Sequence, residues 1–444
     1  MITPFLSLPE QIYTLLQQHG ELKAVELQTA TGMSQASVSL ALTALNGRVC
    51  RMGAARYTRY AATKDILGIA AKQLVQFTNA SGQITTYGEL TYLANRRSYV
   101  QSTNGAHWLS LANKLPWFLS PLRPQGFLAR SLTMLRPDFQ SDPDLWTTEQ
   151  VLYMASQFAN EPPGAFSLGE IERCLMPAAP FALPERRAHY DNLAANIGKS
   201  LPAQSSAGGE QPKFLVEING DDDTYQHLIV KFSPPRDTPF GQRWRQLLHL
   251  EKLALDTLGA HGIATAKTNI VESQTRTYLE SQRFDRIGIN GKRHVVSIDA
   301  LHDEFVGGTR RHWVHTCEQL VLKKMLPAET LSQVATIYAF GQLIGNTDMH
   351  FGNLGFFIDD IAAPMPTLTP MYDMLPMMWR PNIHDGTFGV TPIRVQPIVT
   401  GYAREYADAR AWAISFWREA AQLSVPDDAM REACLASAAL LRGD

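Results

Sequence analysis

Two carboxylates and one amide in the last quarter of the chain constrain the fold most. Asp348 and Asn353 lie five positions apart, and Asp373 is the last residue of the second of two strand-like stretches, LGFFID and PTLTPMYD. A proline-containing turn separates these stretches, which predicts a hairpin that ends at Asp373. Carboxylate and amide oxygens of this kind suit Mg²⁺. Because Asp and Asn also cap turns, spacing alone does not decide between a metal site and a turn.

The preceding part of the chain favours strands, and the part after residue 318 favours helices. FLVEI and HLIVKF flank the turn NGDDDT, a helix is predicted over RWRQLLHLEKLALDTLGAHG, and strands are predicted at TNIVES, TYLESQRF and HVVSID. A strand-rich part followed by a helical part corresponds to the order of the two lobes of a protein kinase. The catalytic loop of those enzymes has the same five-residue offset between Asp and Asn. The sequence therefore predicts an α+β, two-lobed protein-kinase-like fold.

A glycine pair and two lysines accompany the predicted β-rich lobe. Gly208 and Gly209 lie in a loop that ends at Lys213, and glycine lets backbone N–H groups approach a phosphate. Lys231 follows on the strand IVKF, where a kinase lysine neutralises phosphate charge, and Glu251 on the next helix is a possible ion-pair partner. The alternative is an exposed flexible loop and a surface lysine.

The first 62 residues predict three helices and a hairpin. Pro9 starts the first helix, Gly20 and Gly32 end the first two, Ser34 can cap the third, and Gly53 lies between two short alternating runs. This order resembles a winged helix-turn-helix, which binds either DNA or protein. On the third helix, the residues expected to contact base edges are Gln35, Ser37 and Ser39. The residues expected to contact phosphates are Arg48, Arg51, Arg56 and Arg59.

Composition restricts location and partners. The net charge is only −2, so a nucleic-acid contact requires a local basic patch. The four cysteines are scattered without a CxxC pair, and no apolar run reaches the roughly 18 residues of a membrane helix. We expect a cytoplasmic protein without a signal peptide or membrane partner. The predicted division is 1–64, a winged helix; 65–200, a subdomain and linker; 201–300, the strand-rich lobe; and 301–444, the helical lobe.

Five motifs occur in one order and resemble the HipA family of bacterial serine/threonine kinases, the toxin halves of type II toxin–antitoxin pairs. They are Ser206-x-Gly-Gly-x-x-Pro-Lys, Ile-Val-Lys231, Gln282-Arg-Phe-Asp-Arg, Asn346-x-Asp-x-His-x-x-Asn and Tyr372-Asp. The resemblance covers roughly residues 105–440, and LPWFLSPLRPQG also looks like a family segment. The first predicted unit is then an addition, because family members leave DNA binding to a separate antitoxin.

The resemblance implies roles for individual residues. Asp348 matches the catalytic base, Lys231 the ATP-phosphate lysine, Asn353 and Asp373 the magnesium ligands, and Ser206 the autophosphorylated serine, with Ser205 adjacent. ATP and Mg²⁺ are the implied cofactors. The implied ATP-binding residues are Gly208, Gly209, Glu210, Gln211, Pro212, Lys213, Lys231, Gln282, Phe284, His350, Asn353 and Tyr372. Gln282 stands where the family usually has Glu, which puts its adenine contact in doubt.

The resemblance implies a protein acceptor, and aminoacyl-tRNA synthetases are the best-known family targets. An antitoxin remains a possible partner, and the winged helix predicts DNA as another. Two further functions stay open: a transcriptional regulator whose kinase fold binds ATP without catalysis, and a magnesium-dependent DNA nuclease toxin.

Overall fold

A computed structural model describes residues 6–158, 162–170, 184–200, 211–219, 224–381, 389–395 and 399–443. The helices are α1 Leu8–His19, α2 Ala24–Thr31, α3 Gln35–Ala44, α4 Gly126–Arg130, α5 Thr148–Gln157, α6 Arg186–Ser200, α7 Pro239–Ala260, α8 Ile298–Leu301, α9 Trp313–Leu322, α10 Ala328–Leu343, α11 Ala403–Gln422 and α12 Asp428–Arg442. The strands are β1 Glu21–Leu22, β2 Val49–Met52, β3 Arg59–Ala62, β4 Lys72–Thr78, β5 Ile84–Tyr92, β6 Ser98–Ser102, β7 His107–Leu109, β8 Phe166–Leu168, β9 Lys213–Asn219, β10 Tyr225–Phe232, β11 Thr268–Glu272, β12 Thr277–Gln282, β13 Arg286–Ile287, β14 Gly291–Lys292, β15 Val295–Ser297, β16 Gly355–Phe357 and β17 Thr367–Leu368.

The chain divides into two compact units. The first contains Met1–Thr78, Ile84–Pro124 and Arg136–Cys174. The second contains Asn79–Gln83, Gln125–Leu135 and Leu175–Asp444.

The first unit begins with α1 to α3 and the antiparallel sheet β1-β3-β2. Gly20 and Gly32 end the first two helices with positive φ, and the Ser34 side chain caps α3 by accepting from the backbone N–H of Ser37. Apolar residues of the three helices form one buried cluster that includes Ile12, Leu16, Leu27, Val38 and Leu45. The predicted helices and hairpin are therefore present, in the order of a winged helix-turn-helix.

A five-stranded antiparallel sheet, ordered β7-β6-β5-β4-β8, completes the first unit. The β2–β3 hairpin packs on it through a buried cluster of Cys50, Met52, Ala61, Leu93 and Tyr99. Aromatic side chains dominate the sheet's own core, with ring centroids 5.0–5.9 Å apart among Tyr87, Trp108, Phe118 and Phe166. The hairpin and this sheet consequently share one core within the unit.

The strand-rich lobe of the second unit is the antiparallel sheet β11-β12-β10-β9. Alternate residues on β9 and β10 point to one face, where Phe214, Val216 and Val230 form a buried cluster with Tyr190 of α6. Lys231 and Lys213 are cross-strand partners in this sheet, so both occupy the opposite face. The predicted hairpin of β9 and β10 and the helix after it are confirmed.

The helical lobe of the second unit consists mainly of α9 to α12, with the small sheet β15-β16-β17 beside them. Trp313, Trp379 and Trp417 are fully buried in it. Helix α7 connects the lobes, because Arg243 donates to the Trp379 carbonyl at 3.3 Å and Gln246 to that of Val425 at 3.4 Å. The second unit therefore has the predicted α+β, two-lobed architecture. Among the helices described, none combines the length and apolarity that crossing a bilayer requires.

Candidate active site

A buried lysine joins the two lobes of the second unit. Lys231, on β10, donates to Glu251 Oε1 of α7 at 2.5 Å and also to Asp373 Oδ1, 142 positions further along the chain. The Lys231 and Glu251 side chains are 7% and 3% exposed, whereas Asp373 is 30% exposed. The predicted pair of Lys231 and Glu251 is confirmed, and the ammonium group has a second carboxylate partner.

The charges in this cluster shift one another's protonation. Burial would lower the pKa of Lys231, but the Asp373 and Glu251 carboxylates outweigh it and raise that pKa above its ordinary value. Burial would raise the pKa of Asp373, yet Lys231 and Lys213 lower it to about 2. Burial dominates at Glu251 and raises its pKa, and its Oε2 has no hydrogen-bond partner. One ammonium thus faces two carboxylates of unequal acidity.

Asp373 has a left-handed backbone with φ of +53°, which is uncommon outside glycine and is tolerated best by Asn and Asp. Its carbonyl accepts from Asn346 Nδ2 at 3.3 Å, and Asn346 Oδ1 accepts from the Asp348 backbone N–H at 3.0 Å. A single amide side chain therefore couples the loop that carries Asp348 to the segment that carries Asp373.

The loop over residues 345–353 presents its polar groups in two ways. The Asp348 side chain is exposed, and no described residue forms an ion pair or hydrogen bond with its carboxylate. Asn353 is 9% exposed and donates from Nδ2 to the Asp348 carbonyl at 2.8 Å, which orients its amide and assigns the oxygen to the other side. His350 Nδ1 accepts from the Gly352 N–H at 3.0 Å, which holds the final turn of the loop.

Aromatic residues continue this region. The Tyr372 hydroxyl donates to the Gly352 carbonyl at 3.0 Å, and the Phe284 ring lies 5.7 Å from the Tyr372 ring. Burial raises the pKa of Tyr372, so its hydroxyl stays protonated. Gln282 ends β12 two positions before Phe284, and its backbone N–H donates to the Lys267 carbonyl at 2.9 Å. Phe284 and Tyr372 thus lie together beside the loop.

The predicted phosphate loop lies mostly beyond the described ranges. Ser205, Ser206, Gly208, Gly209 and Glu210 belong to that undescribed part. The described end of the loop leads into β9 on the face that carries Lys231: the Pro212 carbonyl accepts from the Phe232 N–H at 3.0 Å, and Lys213 pairs with Lys231 across the strands. Gln211 Nε2 is buried without a hydrogen-bond partner.

Two groups were not among the predicted site residues. Asn346 links the Asp348 loop to the Asp373 segment through both ends of its amide. Its position two residues before Asp348 was the sequence signal that could have identified it. Trp313 Nε1 donates to the His350 carbonyl at 3.1 Å and anchors the loop from α9. No local pattern marks that tryptophan, because its partner is 37 positions away.

The predicted DNA-contact residues of the first unit differ in solvent exposure. Gln35 and Ser39 are exposed on α3, and Arg51, Arg56 and Arg59 are exposed on the hairpin. Ser37 is half-buried and its hydroxyl bonds with that of Ser34 at 2.9 Å.

Arg48 is the exception among the arginines. It pairs with Glu10 at 2.6 Å and lies 4.0 Å from the centroid of the Tyr13 ring. Arg48 thus has a carboxylate and an aromatic ring as partners within the protein, which would compete with a phosphate for its guanidinium group.

Comparisons with known proteins agree with the architecture. Residues 205–439 match the model of the HipA-like C-terminal domain, and residues 70–175 match that of the YjjJ-like toxin, middle domain. Toxin YjjJ of Escherichia coli (strain K12) is 35% identical over 379 residues, which cover 83% of either protein.

Solved structures were compared as well. The HipA of Shewanella oneidensis MR-1, solved with HipB and its operator DNA, matches 84% of this chain and 97% of its own at a TM-score of 0.54 and 15% identity. The Helicobacter pylori proinflammatory kinase CtkA covers 52% of this chain and 92% of its own at 11% identity, but its TM-score of 0.36 is too low to support an argument. With a matching family model over more than half of its length and a toxin relative over most of it, this chain belongs to the HipA-like family of toxin–antitoxin proteins.

Proposed function

We propose that this chain is a toxin kinase that transfers the γ-phosphate of ATP to a serine or threonine of another protein. The observation that carries the proposal is the contact of Lys231 with both Glu251 and Asp373. A strand lysine paired with a helix glutamate, close to an acidic residue that follows the catalytic loop, is the arrangement that phosphoryl transfer requires in protein kinases.

The donor set fits a magnesium–nucleotide complex. Asp373 offers a half-buried carboxylate that stays ionised at neutral pH, and Asn353 offers an amide oxygen. Mg²⁺ takes few protein ligands and completes its shell with phosphates and water, so two oxygen donors suffice. When bound, the metal would neutralise charge on the phosphates. Lys231 would then contact phosphate oxygens in addition to Glu251.

Asp348 acts on the acceptor in this mechanism. Its exposed carboxylate accepts the proton of the attacking hydroxyl as the oxygen forms its bond to the γ-phosphorus and the bond to ADP breaks. The amide of Asn346 and the side chain of Asn353 hold the backbone around Asp348, which fixes the position of the base. Positioning and electrostatics carry most of the rate.

We further propose that the chain phosphorylates Ser206 of its own phosphate loop. A phosphate there adds a charge of roughly −1.5 to −2 where ATP phosphates bind, and like charges repel, so the modified enzyme is inactive. Phosphopeptide mapping after incubation with ATP tests this, and Ser205→Ala beside Ser206→Ala identifies the modified serine.

DNA binding through the first unit is also part of the proposal. Arg51, Arg56 and Arg59 lie exposed on one hairpin, and Gln35 and Ser39 lie exposed on the helix that precedes it. This supports phosphate contacts from the hairpin and base contacts from α3. We propose an antitoxin as a further partner. We also propose that the acceptor is a protein such as an aminoacyl-tRNA synthetase or another translation factor, and that the chain acts in the cytoplasm.

Incorporation of ³²P from γ-labelled ATP tests the kinase function. Asp348→Asn should lower transfer by about 10²-fold or more, because it removes the base. Asp408→Asn, an exposed carboxylate on α11, is the matched control. ATP binding without transfer by the wild type would favour the non-catalytic regulator. Plasmid nicking with magnesium alone, lost in Asp348→Asn, would favour the nuclease.

A further inference from the structure

A polar cavity of about 420 Å³ lies in the helical lobe, apart from the cluster around Lys231. The start of α9, the last turn of α10 and residues 399–400 line it, and it is open to solvent on one side. Most of its wall is polar, and the side chains used below are Arg311, His312, His315, Glu318 and Gln342. A cavity with a few converging polar groups is a binding-site candidate.

The wall of this cavity is continuous with the loop that carries Asp348. The Gln342 carbonyl accepts from the Gly345 N–H at 3.1 Å, and Gly345 is the first residue of that loop. On the other side, Trp313, which directly follows His312, donates to the His350 carbonyl at 3.1 Å. A ligand in the cavity therefore contacts parts of α9 and α10 that are hydrogen-bonded to the loop carrying the proposed catalytic base.

Besides Tyr338, the ionisable side chains among the described residues that line the cavity are one arginine, two histidines and one glutamate. Glu318 is its one acidic side chain, and both of its oxygens are engaged, with the Tyr402 hydroxyl at 2.9 Å and with His315 Nδ1 at 3.5 Å. His312 Nδ1 accepts from the His315 N–H at 3.1 Å, so its proton resides on Nε2. Arg311 is exposed, and within the described ranges no carboxylate lies at ion-pair distance from it.

An arginine without a carboxylate partner and a neighbouring imidazole N–H together match one carboxylate. Arginine presents a planar fork of donors that binds a carboxylate through two hydrogen bonds. A nucleic-acid backbone fits less well, because its repeated charges would meet Glu318. The chemistry of the cavity therefore favours a single acidic side chain on a polypeptide.

We propose that this cavity binds an aspartate or glutamate of the acceptor protein and so presents the acceptor hydroxyl to Asp348. This inference rests on the proposed kinase function and adds the substrate class to it. The cavity selects acceptors by a carboxylate at one fixed distance from the modified serine or threonine, and Arg311 is the specificity-determining residue.

The test is phosphosite sequencing. The full chain, its Arg311→Gln and Arg311→Glu variants and the control Arg418→Gln, an exposed arginine on α11, are each incubated with a phosphatase-treated native bacterial lysate and γ-¹⁸O-labelled ATP. Mass spectrometry identifies the labelled sites, and a synthetic peptide from the best site gives kcat and KM. Labelling of the phosphate loop in the same reactions reports phosphoryl transfer itself.

We expect acidic residues to be enriched at one position near the sites labelled by wild type and by Arg418→Gln. Arg311→Gln should lose this enrichment and about tenfold or more in kcat/KM for the acidic peptide, mainly through KM, with the KM for ATP unchanged. Arg311→Glu should enrich lysine or arginine at the same position. If Arg311→Glu loses the acidic enrichment without enriching basic residues, the result still supports the inference, provided that the variant still phosphorylates its own phosphate loop.

Three results would overturn the inference. One is the absence of an acidic preference in the wild type, and another is the same preference in Arg311→Gln; both leave the kinase function intact. The third is labelling of the loop without labelling of any other protein. If neither the loop nor any other protein is labelled, the kinase function fails, and the inference fails with it.

Discussion

Replacing Lys231 by methionine tests the centre of the candidate site. Methionine keeps most of the volume of the lysine stem, so packing on β10 changes little, while the ammonium group is lost. Glu251, 3% exposed, then has no positive partner, and Asp373 loses the contact that keeps it ionised. The change therefore isolates the electrostatic role of Lys231.

The expected cost follows from the burial. Removing one partner of a buried ion pair typically costs about 3–5 kcal/mol, because an uncompensated charge remains. Asp373 is 30% exposed and can turn to water, so Glu251 carries most of that cost. Lys231→Met should accordingly lower the free energy of unfolding by about 3–5 kcal/mol, and phosphoryl transfer should fall because the phosphate contact is gone.

The pH dependence gives the sharper signature. Without Lys231, the pKa of Glu251 rises further above its ordinary 4.5. A folded state that holds a proton more tightly than the unfolded chain loses stability as pH rises above the unfolded pKa. The stability gap between Lys231→Met and wild type should therefore be small near pH 4.5 and widen toward pH 8.

Denaturant unfolding across this pH range, with hydrogen exchange on peptides from β10 and α7 to localise the change, measures this gap. The double variant Lys231→Met/Glu251→Leu should regain most of the lost stability at pH 8 without regaining activity, since an apolar pair can replace a buried ionic one. The reasoning is refuted if the difference in the free energy of unfolding between Lys231→Met and wild type is the same at all pH values. It is also refuted if the two proteins have the same free energy of unfolding at pH 8.

The remaining predictions address neighbouring groups. The folded pKa of Asp373, about 2, lies below its unfolded value of 3.8, so this carboxylate stabilises the fold fully above about pH 4 and loses that contribution as the pH falls to about 2. The unfolding midpoints of wild type and Asp373→Asn should therefore converge over this pH range. Asn346→Ala should cost roughly tenfold or more in kcat with ATP binding retained in a fluorescent-nucleotide assay, because two backbone segments lose their shared amide. Arg51→Gln and Arg59→Gln should each weaken DNA binding and reduce its salt dependence in fluorescence anisotropy, whereas Arg48→Gln should leave both nearly unchanged, because Glu10 already pairs with Arg48.

Much of this architecture follows from local pattern. Proline, glycine and serine at the helix ends mark α1 to α3, and alternation around NGDDDT marks the hairpin that carries Lys231. Both signals depend on a few consecutive residues, which sequence reasoning reads directly. Glu251 was a possible partner of Lys231 because it lies on the helix that follows the strand carrying the lysine.

Contacts between distant segments were less predictable. The pair of Arg48 and Glu10 joins residues 38 positions apart, so the position of Arg48 beside the predicted wing gave no sign of this partner. Leu40 is apolar and lies on α3, yet it is 73% exposed, because α3 buries Val38 and Ala41 instead. The five-stranded sheet was not predicted, because burial along β4 and β5 does not alternate strictly and the periodic signal is weak.

The left-handed backbone of Asp373 restricts how its chemistry can be dissected. Alanine or leucine at this position would strain a φ of +53°, so a loss of activity would combine a missing oxygen donor with a displaced segment. Asparagine tolerates the same conformation and removes only the charge. The same constraint narrows the residues that natural variation can place there to those with short polar side chains and glycine, whatever the enzyme modifies.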